Sequence, residues 1–597
     1  MPKRASAPLR YTVCAHQRHA HLFDVSIHIE RPARNQVLSL PVWIPGSYLV
    51  REFSKNLQGL SARQSGQAVA VHQIDKCTWK IGCTADQTCE VSYQIVAFDR
   101  SVRSAWLDAQ RGFFNGTSVC LRVHGQENVP HILELPAQAH PDNWRVACAL
   151  TPLDCDARGW GCYQAQDYDE LVDSPVELGD FWQGQFDVAG VTHRMVVSGA
   201  PPGFDGARLL ADSQAICAAE IALWHPDGSP PPHSHYLFLL AAMDDGYGGL
   251  EHRTSTALIA RRADLPRKGM TGAPSEGYTT VLGLISHEYF HTWNVKRLRP
   301  AEFERYDYTR ENYTELLWFF EGFTSYFDDW LLVRSGRIGV EDYLKLLART
   351  LNSVLQTPGR QVQSLAQASH DAWIKFYRPD ENTPNTTLSY YAKGALLGLC
   401  LDLTLRQRHA SSLAILMRAL WQRCQGGPMT EADVLAEVTR LANADLAQQL
   451  HTWVHGCADL PVAECLREAG ISYEFESTSR ALQLGLKVKE QQGVRITHVL
   501  RNSAGEAAGF SPGDEWLALT LGRGPSARHW RVQRLADLDT LLDGARRCQA
   551  WVARDGQVLH LNLALPRPPH RLQPVRLGVA DAARVRSWLA SPPSPQP

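Results

Sequence analysis

Short apolar segments that alternate with polar positions dominate the first 180 residues of the chain. Examples are HLFDVSIHI (21–29), QVLSLPVWI (36–44) and TCEVSYQIVAF (88–98), which are separated by proline, glycine and asparagine. Alternation with a period of two residues predicts β-strands, and the interruptions predict turns. Residues 1–180 are therefore predicted to form an N-terminal β-sandwich domain.

The pattern changes after residue 180. Two strand-like segments, HRMVVSG (193–199) and HYLFLLAAM (235–243), precede long stretches with helical periodicity around 279–298, 312–334, 340–356, 391–408 and 411–424. Strands followed by a run of helices are typical of an α+β domain. We therefore predict an α+β domain over residues 181–465, with its larger part helical.

Short strands return after residue 465. They are ALQLGLKV (481–488), GVRITHVL (493–500), DEWLAL (514–519) and QVLHLNLAL (557–565). Their length and spacing predict a compact β-rich module over residues 466–566. Residues 567–597 are rich in proline and arginine and predict a C-terminal tail with a disordered end.

The overall composition narrows the classes of function. With 597 residues, 44% of them apolar, the chain is too long for one hydrophobic core, so several folded domains are expected. The 60 lysine and arginine residues nearly balance the 62 aspartate and glutamate residues, which gives a formal charge of −2. This balance offers no general attraction to nucleic acid or to an anionic membrane, and we expect neither as a partner.

Targeting signals are not apparent in the sequence. The first residues, MPKRASAPLRYTVCAHQ, lack the apolar run of a signal peptide, and a run of about 18 apolar residues occurs nowhere. The 14 cysteines are scattered without CxxC pairs, which is typical of reduced thiols in a chain of this length. The sequence therefore predicts a soluble, cytoplasmic protein.

The segment GYTTVLGLISHEYFHTWNVKRL (277–298) carries the clearest candidate chemistry. His287, Glu288 and His291 form an HExxH motif, and positions i and i+4 of a helix lie on one face, a turn apart. Both imidazoles can then reach one metal ion, for which the geometry suits zinc, while Glu288 lies beside them. The alternative is a pair of hydrogen-bonded histidines without a metal.

A catalytic zinc ion needs a third protein ligand. The segment NYTELLWFFEGFTSYFDDWLLV (312–333) offers Glu321, 30 residues after His291, within a strongly apolar predicted helix. A carboxylate among aromatic side chains is costly to bury unless a cation accompanies it. The alternative is an acid that faces solvent. Ser325 and Asp328 are candidates for orienting a ligand histidine, and the sequence does not choose between them.

Several segments together resemble a known family. HEYFHTWNVKRLRP (287–300) and LWFFEGFTSYF (317–327) resemble the glycyl aminopeptidase family of PDZ-containing zinc metallopeptidases, gluzincins that hold zinc with two histidines and a distant glutamate. WIPGSYLVREFSKN (43–56) and FFNGTSV (113–119) are similar to parts of its N-terminal β-domain, and GVRITHVLRNSAGEAAGFSPGD (493–514) to a PDZ domain. The resemblance implies a thermolysin-like catalytic domain, a PDZ-like C-terminal domain and one zinc ion per chain.

The resemblance also gives meaning to DDGYGGLEHRTS (244–255), which is similar to the glycine-rich edge strand of gluzincin aminopeptidases. In that strand a glutamate binds the free amine of the substrate, and the matching residue is Glu251. Gly248 and Gly249 would let the peptide backbone come close, and a carboxylate at the end of a cleft favours an ammonium group. From the residues alone, an ordinary glycine-rich turn fits as well.

SYYAKGALL (389–397) resembles the segment of these enzymes whose tyrosine donates a hydrogen bond to the oxyanion. The matching residue is Tyr391, and Tyr390 is the adjacent alternative. A phenol is a suitable donor because it stays protonated at neutral pH. Two aromatic residues that only pack at the start of a helix explain the pattern equally well.

Together these features predict a zinc aminopeptidase. Glu288 is the expected general base for a zinc-activated water, and the resemblance implies a preference for N-terminal glycine and alanine. The expected partners are peptides with a free N-terminus, and a homo-oligomer is left open. The alternatives are a zinc endopeptidase on the same site and a catalytically silent PDZ-containing scaffold.

The predicted PDZ-like module lacks a plain GLGF-like signature. Leu484, Gly485 and Leu486 are the nearest equivalent of a carboxylate-binding stretch, because backbone N–H groups at a strand end can bind a terminal carboxylate. We therefore favour a structural role for this module over peptide binding.

Overall fold

A computed structural model describes residues 7–137, 140–477, 480–542, 544–565 and 573–589. The chain forms two compact units. The first consists of Met1–Tyr313, Leu331–Ile338 and Leu420–Met429, and the second of Thr314–Trp330, Gly339–Ala419 and Thr430–Pro597. The domain boundaries drawn at residues 180, 465 and 566 stay predictions.

The N-terminal part of the first unit is rich in β-structure, as the alternating pattern predicted. Its strands are β1 Leu9–Gln17, β2 Leu22–Ile29, β3 Val37–Ser39, β4 Leu57–Gln64, β5 Gln67–Val69, β6 Val71–Gln73, β7 Thr78–Ile81, β8 Cys89–Val96, β9 Ala105–Leu107, β10 Arg111–Phe114, β11 Arg122–Val123, β12 His131–Leu135, β13 Arg145–Cys148, β14 Thr151–Cys155, β15 Gly161–Ala165 and β16 Val176–Gly179. They form an eight-stranded sheet, β14-β15-β12-β1-β2-β8-β4-β5, and two four-stranded sheets, β13-β16-β10-β9 and β11-β3-β7-β6. The helices α1 Gly116–Val119 and α2 Tyr168–Val172 lie between them in sequence.

Strand β8 shows how the sequence pattern produces this core. Its alternate residues Cys89, Val91, Tyr93 and Ile95 are buried, while the residues between them keep exposed surface. Because successive side chains of a strand point to opposite faces, this alternation gives the sheet one apolar face. That face belongs to a continuous apolar cluster that extends to Val196 in the sheet described next.

A second type of sheet follows in the same unit. Its strands are β17 Phe181–Val188, β18 Val191–Ser198, β19 His235–Met243, β20 Gly248–Glu251 and β21 Ser255–Arg261, in the order β17-β18-β19-β21-β20. Strands β18, β19 and β21 run parallel, and β20 lies antiparallel at the edge. The helices α3 Gly206–Trp224 and α4 Glu276–Phe290 accompany this sheet, and a short pair joins β22 Arg299–Pro300 to β23 Pro428–Met429.

The chain after residue 313 is mainly helical until residue 468. The helices are α5 Leu317–Phe320, α6 Gly322–Arg334, α7 Val340–Leu355, α8 Leu365–His370, α9 Thr383–Thr386, α10 Tyr390–Arg408, α11 Leu413–Arg423, α12 Glu431–Leu441, α13 Ala444–His455 and α14 Val462–Glu468. Short 3-10 helices lie at Arg18–Ala20, Phe53–Asn56, Arg262–Asp264, Ala301–Phe303, Pro358–Gln361, Asp371–Trp373 and Gly524–Ser526.

The helix predicted over 312–334 differs from the one observed. Residues 312–316 are irregular, and Glu321 separates α5 from α6. The Asn312 side chain accepts a hydrogen bond from the Asp307 N–H and donates one to the Asp307 carbonyl. Asparagine that bonds to nearby backbone in this way competes with helix formation, so the helix starts later.

The C-terminal part of the second unit is rich in β-structure. Its strands are β24 Ile471–Phe475, β25 Leu486–Glu490, β26 Val494–Val499, β27 Glu515–Leu521, β28 Arg528–Arg531, β29 Arg547–Arg554, β30 Gln557–Ala564 and β31 Val575–Val579, and its helices are α15 Arg480–Leu484, α16 Ala504–Ala508, α17 Asp537–Leu541 and α18 Ala582–Leu589. One sheet has the order β25-β26-β27-β29-β30, with β28 also paired to β27. This sheet has its own apolar core, which includes Trp516.

The predicted tail contains regular structure. Strand β31 pairs antiparallel with β24, and the Asn352 side chain makes hydrogen bonds of 2.9 and 2.8 Å to the carbonyl and N–H of Val575. Helix α18 follows, with Trp588 buried. The composition of this segment suggested a tail because arginine and proline dominate it, but the run VRLGV forms a strand through its pairing with β24. Its last residues, 590–597, lie outside the described residues.

Two further properties concern the helices and the cysteines. Within the described ranges, the helices are all too short or too polar to cross a bilayer. Each of the 14 cysteines is a free thiol, in line with the prediction from their spacing.

Candidate active site

Helix α4 carries the HExxH motif in its last turn. It begins at Glu276 because the Ser275 hydroxyl accepts a hydrogen bond from the Tyr278 N–H, 3.2 Å away. Two buried bonds join it to α3: the Tyr278 hydroxyl donates to Asp212 at 2.8 Å, and the Ser286 hydroxyl donates to Glu220 at 3.0 Å. These bonds fix the rotation of α4 about its axis and so the direction of the motif's side chains.

His291, the C-cap residue of α4, is held in one orientation by the turn that follows the helix. Its side chain is 1% exposed, and its Nδ1 lies 2.8 Å from the carbonyl oxygen of Asn294. Because a carbonyl can only accept, Nδ1 carries the hydrogen and Nε2 keeps its lone pair. The backbone carbonyl of Asn294 therefore orients His291. The sequence had suggested only side chains, those of Ser325 and Asp328, for this role.

A buried network on the other side of α4 holds Tyr289. The Tyr289 hydroxyl lies 2.8 Å from Nε2 of His193 and 3.1 Å from Nε2 of His233. Burial lowers the pKa of His193 to about 4; burial and then Arg297 lower the pKa of His233 to about 2. Both imidazoles are neutral at neutral pH, so this network anchors the helix without adding charge beside the motif.

Glu321 lies at the junction of α5 and α6 and is 2% exposed. Gly322, the next residue, packs closely on Gly394 of α10: a Cβ atom at Gly322 would lie 2.5 Å from the Gly394 Cα. This contact brings the start of α10 next to Glu321. The sequence pointed to Glu321 because of its aromatic surroundings, and it is indeed buried among them.

The two histidines of the motif lie side by side. The ring centroids of His287 and His291 are 4.7 Å apart, and the carboxylate of Glu321 is the predicted third ligand. Two nitrogens and one oxygen are the donor set of many catalytic zinc sites, which use three protein ligands. The burial of His291 and Glu321 and the fixed tautomer of His291 also fit such a site.

Strand β20 passes directly beside Glu288. A Cβ atom on Gly249 would overlap with the Glu288 carboxylate, so only glycine fits at this position without displacing the carboxylate. Glu288 itself is 5% exposed. Glycine at this position of the edge strand therefore allows the strand to lie in contact with the HExxH helix.

Replacing Gly249 with alanine is expected to lower kcat by about 100-fold, because a displacement of Glu288 by about 1 Å would spoil its alignment. Gly248→Ala is the matched comparison, since its Cβ would meet only Arg103 at an ordinary 3.6 Å. Steady-state kinetics of the two variants check this. Equal losses in both variants would contradict a specific contact between Gly249 and Glu288.

Glu251 lies at the end of the same strand. Oxygens of Glu251 and Glu288 and a ring nitrogen of His291 lie within 4.8 Å of one another. Glu251 is 4% exposed, and the backbone at Gly46, with φ of +88°, presses against its carboxylate. The segment WIPGSY thus reaches the site, which its sequence alone did not reveal. Two buried carboxylates so close together favour the binding of a cation.

A buried positive charge that interacts with Glu251, that of Lys296, already has another partner. Lys296 donates to Asp173 at 2.7 Å, and Asp173 also accepts from the Arg253 N–H and lies 3.1 Å from the His252 ring. Burial alone would raise the pKa of Asp173, but Lys296 and His252 hold it well below its ordinary value. Asp173 therefore balances the charge of Lys296, and Glu251 keeps its capacity for another cation.

Tyr391 lies in the first turn of α10, near Glu321. Its hydroxyl is 3.0 Å from that of Tyr377, whereas Tyr390 has no exposed surface. Burial, and then the Glu321 carboxylate, raise the pKa of Tyr391 well above its ordinary value, so the phenol keeps its proton. These observations favour Tyr391 over Tyr390 as a hydrogen-bond donor to a bound molecule.

Comparison with known proteins agrees with this geometry. Residues 10–180 match the M61 peptidase N-terminal domain, and residues 280–397 match the M61 glycyl aminopeptidase domain. A crystal structure of an aminopeptidase N family protein from Idiomarina loihiensis is 35% identical, with a TM-score of 0.91, and the alignment covers 98% of this chain and 100% of that one. The chain belongs to the M61 glycyl aminopeptidase family. It is a zinc metallopeptidase of the aminopeptidase type, and its substrates are peptides.

More distant similarity extends to M1 enzymes. An M1 zinc metallopeptidase from Deinococcus radiodurans is 15% identical with a TM-score of 0.48, covering 77% of this chain and 95% of that one. A mutant of that enzyme bound to a Tyr-Ser-Ala substrate gives 15% identity and a TM-score of 0.47, with the same coverage of both chains. A comparison with curated protein sequences gave no significant match.

Another N-terminal segment of this M61 family member also reaches the active site. Asn115 of FFNGTSV is fully buried, and its amide donates to the carbonyls of Val102 and Ser104 at 2.7 and 3.3 Å. Arg103, held between these two residues, donates to the Gly249 carbonyl at 3.1 Å. Arg103 could not be found from the sequence, because only the fold brings it close to Gly249, which lies more than 140 residues later in the chain.

Proposed function

We propose that this protein removes single amino acids from peptides by hydrolysing the first peptide bond, with a preference for N-terminal glycine and alanine. The observation that carries the proposal is the cluster of Glu251, Glu288 and His291 within 4.8 Å. It combines a carboxylate able to bind an amine, a carboxylate able to act as a base and a metal-ligand histidine. A site of this kind can bind the N-terminal amine of a peptide and so place the first peptide bond beside the base and the metal ligand.

His287, His291 and Glu321 are the residues proposed to hold the zinc ion. The HExxH spacing on α4 and the burial of Glu321 support this assignment. A zinc ion held there would polarise the scissile carbonyl and lower the pKa of a water molecule towards about 7. The protein's part is to supply two imidazoles and one carboxylate as ligands. The carbonyl of Asn294 fixes one of these imidazoles.

Glu288 is the proposed general base. It accepts a proton from the attacking water and passes it to the leaving amine, so that the new carboxylate and the free amine leave as products. Its burial and its contact with the glycine strand keep the carboxylate in one place. A base that is already aligned loses little entropy in the reaction.

Tyr391 is the proposed donor to the oxyanion of the tetrahedral intermediate. Support comes from its partial exposure, its raised pKa and its position near Glu321. A donor that is fixed before the reaction is worth a few kcal/mol in the transition state, about 3–4 kcal/mol in well-studied cases. The neighbouring Tyr377 hydroxyl supports it at 3.0 Å.

Glu251 is proposed to bind the substrate's ammonium group, so Glu251→Gln is expected to lower kcat/KM for free peptides by about 10- to 100-fold, the value of a charge-assisted hydrogen bond. N-acetylated peptides of the same sequence test this. The wild type should hydrolyse them far more slowly than free peptides, and the variant should lose most of that difference.

Asp245→Asn, which changes an exposed carboxylate just before the same strand, is the matched control. It should leave the ratio between free and acetylated peptides unchanged. Equal hydrolysis of free and acetylated peptides by the wild type would instead favour an endopeptidase.

Hydrolysis of glycyl, alanyl, leucyl and phenylalanyl anilides tests the preference for small residues. The proposal expects the first two to give the highest kcat/KM, and a metal chelator to abolish the activity. The preference rests on the family description, "glycyl aminopeptidase". Faster hydrolysis of the leucyl anilide would contradict it.

The fold of each domain is also a proposal. We infer that the three N-terminal sheets form a β-sandwich, that the catalytic domain is thermolysin-like and that residues 466–566 form a PDZ-like domain with a structural role. Gly485, with φ of +63°, lies between α15 and β25, the position expected for a carboxylate-binding loop. A cytoplasmic location and a homo-oligomer stay predictions.

A further inference from the structure

A second group of metal-ligand side chains lies on α12 and α13. Helix α12 begins at Glu431 because Thr430 caps it and exchanges hydrogen bonds with Asp433 in a capping box. His451 and His455 lie four residues apart on α13, so their rings share one face of that helix. The Glu431 carboxylate at the start of α12 therefore faces two imidazoles on one side of α13.

The three side chains converge on one point. His451 Nδ1 lies 3.0 Å from a carboxylate oxygen of Glu431, and His455 Nε2 lies 3.0 Å from both oxygens. The two ring centroids are 4.4 Å apart, and the three ligand atoms lie within 4.8 Å of one another. The side chains are 46%, 34% and 20% exposed for His451, His455 and Glu431, so a hydrated ion can reach them.

The donor set matches a transition-metal ion. Two imidazole nitrogens and a carboxylate oxygen suit zinc, and they also suit nickel and copper, whereas calcium and magnesium prefer oxygen ligands alone. In a tetrahedral zinc site with bonds near 2.0–2.1 Å, ligand atoms lie about 3.3 Å apart. The two 3.0 Å separations between imidazole and carboxylate need to grow by only a few tenths of an ångström, which exposed side chains can provide.

We propose that Glu431, His451 and His455 form a second metal site, which binds zinc or a similar ion and links α12 to α13. This site shares no residue with the active site, and it does not depend on the proposed function. The alternative for the same geometry is a set of hydrogen bonds between the histidines and Glu431, without an ion. A metal site and a set of hydrogen bonds without an ion predict different metal contents for the purified protein.

Equilibrium dialysis of the full chain against buffered zinc chloride tests the proposal. The wild type is expected to bind two zinc ions per chain at saturation. The double variant His451→Ala/His455→Ala should bind one and keep its aminopeptidase activity. His409→Ala, which removes another partly exposed histidine of the second unit, should behave like the wild type.

Glu431→Gln gives a second, milder test: affinity of the second ion should fall by at least about tenfold. A zinc-dependent rise in Tm that is smaller in the double variant would support the link between helices. Identical zinc stoichiometry and affinity in the wild type and the double variant would overturn the proposal. Failure of the active-site assignment would instead appear as the absence of metal-dependent activity in every variant, including the wild type.

Discussion

Replacing Glu288 with glutamine is expected to lower kcat by about 10²–10⁴-fold, the contribution of a positioned general base. Glutamine has nearly the shape of glutamate, so the buried pocket beside Gly249 stays filled. It cannot accept the proton of the attacking water. KM should change little, and zinc should remain bound, because Glu288 is not one of the three proposed ligands.

Two measurements on the same preparation separate these effects: kcat with a glycyl anilide, and zinc content by elemental analysis. Glu276→Gln changes an exposed residue at the start of the same helix and should retain full activity. Turnover of Glu288→Gln within a factor of about three of the wild type would contradict its role as the base, because removal of a base costs at least about 10²-fold.

Replacing Glu321 with glutamine is expected to remove both zinc and activity. A neutral amide is a poor ligand for zinc, and it also leaves the charge of the ion less balanced at a position that is 2% exposed. We expect zinc affinity to fall by at least about 100-fold, more than the loss typical of residues around the ligands. Excess zinc should restore part of the activity, which distinguishes loss of the metal from loss of the base.

Glu315→Gln is the control for this variant, because Glu315 lies just before α5 with an exposed side chain. It should bind zinc like the wild type. Unaltered zinc affinity in Glu321→Gln, with a native circular dichroism spectrum, would show that another residue is the third ligand.

The metal-ligand candidates could be proposed from the sequence because the spacing of neighbouring residues carries their chemistry. HExxH places two imidazoles on one helix face whatever the rest of the chain does. Glu321 was visible as an acid within an aromatic run, and it is 2% exposed. In both cases the residue type and its immediate neighbours are enough for the proposal, which measurements of zinc binding test.

The surroundings of these residues could not be predicted, because they come from contacts between distant segments. The backbone carbonyl of Asn294 that orients His291 has no side-chain signature. Gly46 meets Glu251, and Arg103 meets Gly249, across more than 100 residues of sequence. Such pairs depend on how the sheets of the first unit pack, which a single sequence does not encode in any local pattern.

The fold shows the same division. Alternating runs such as β8 were predictable because one buried face requires one apolar residue in two. The late start of the helix at Leu317 was not, because the side chain of Asn312 bonds to backbone five residues earlier. Strand β31 could not be predicted from composition either. This strand of five residues is stabilised by its pairing with β24 and by Asn352 rather than by its own propensity.

Anomalous diffraction from crystals grown with zinc, recorded at the zinc absorption edge, tests the central claim most directly. The account predicts a strong peak within bonding distance of His287, His291 and Glu321, with Glu288 adjacent to it. A map with zinc only at Glu431, His451 and His455, or with Glu321 turned away from the peak, would contradict it.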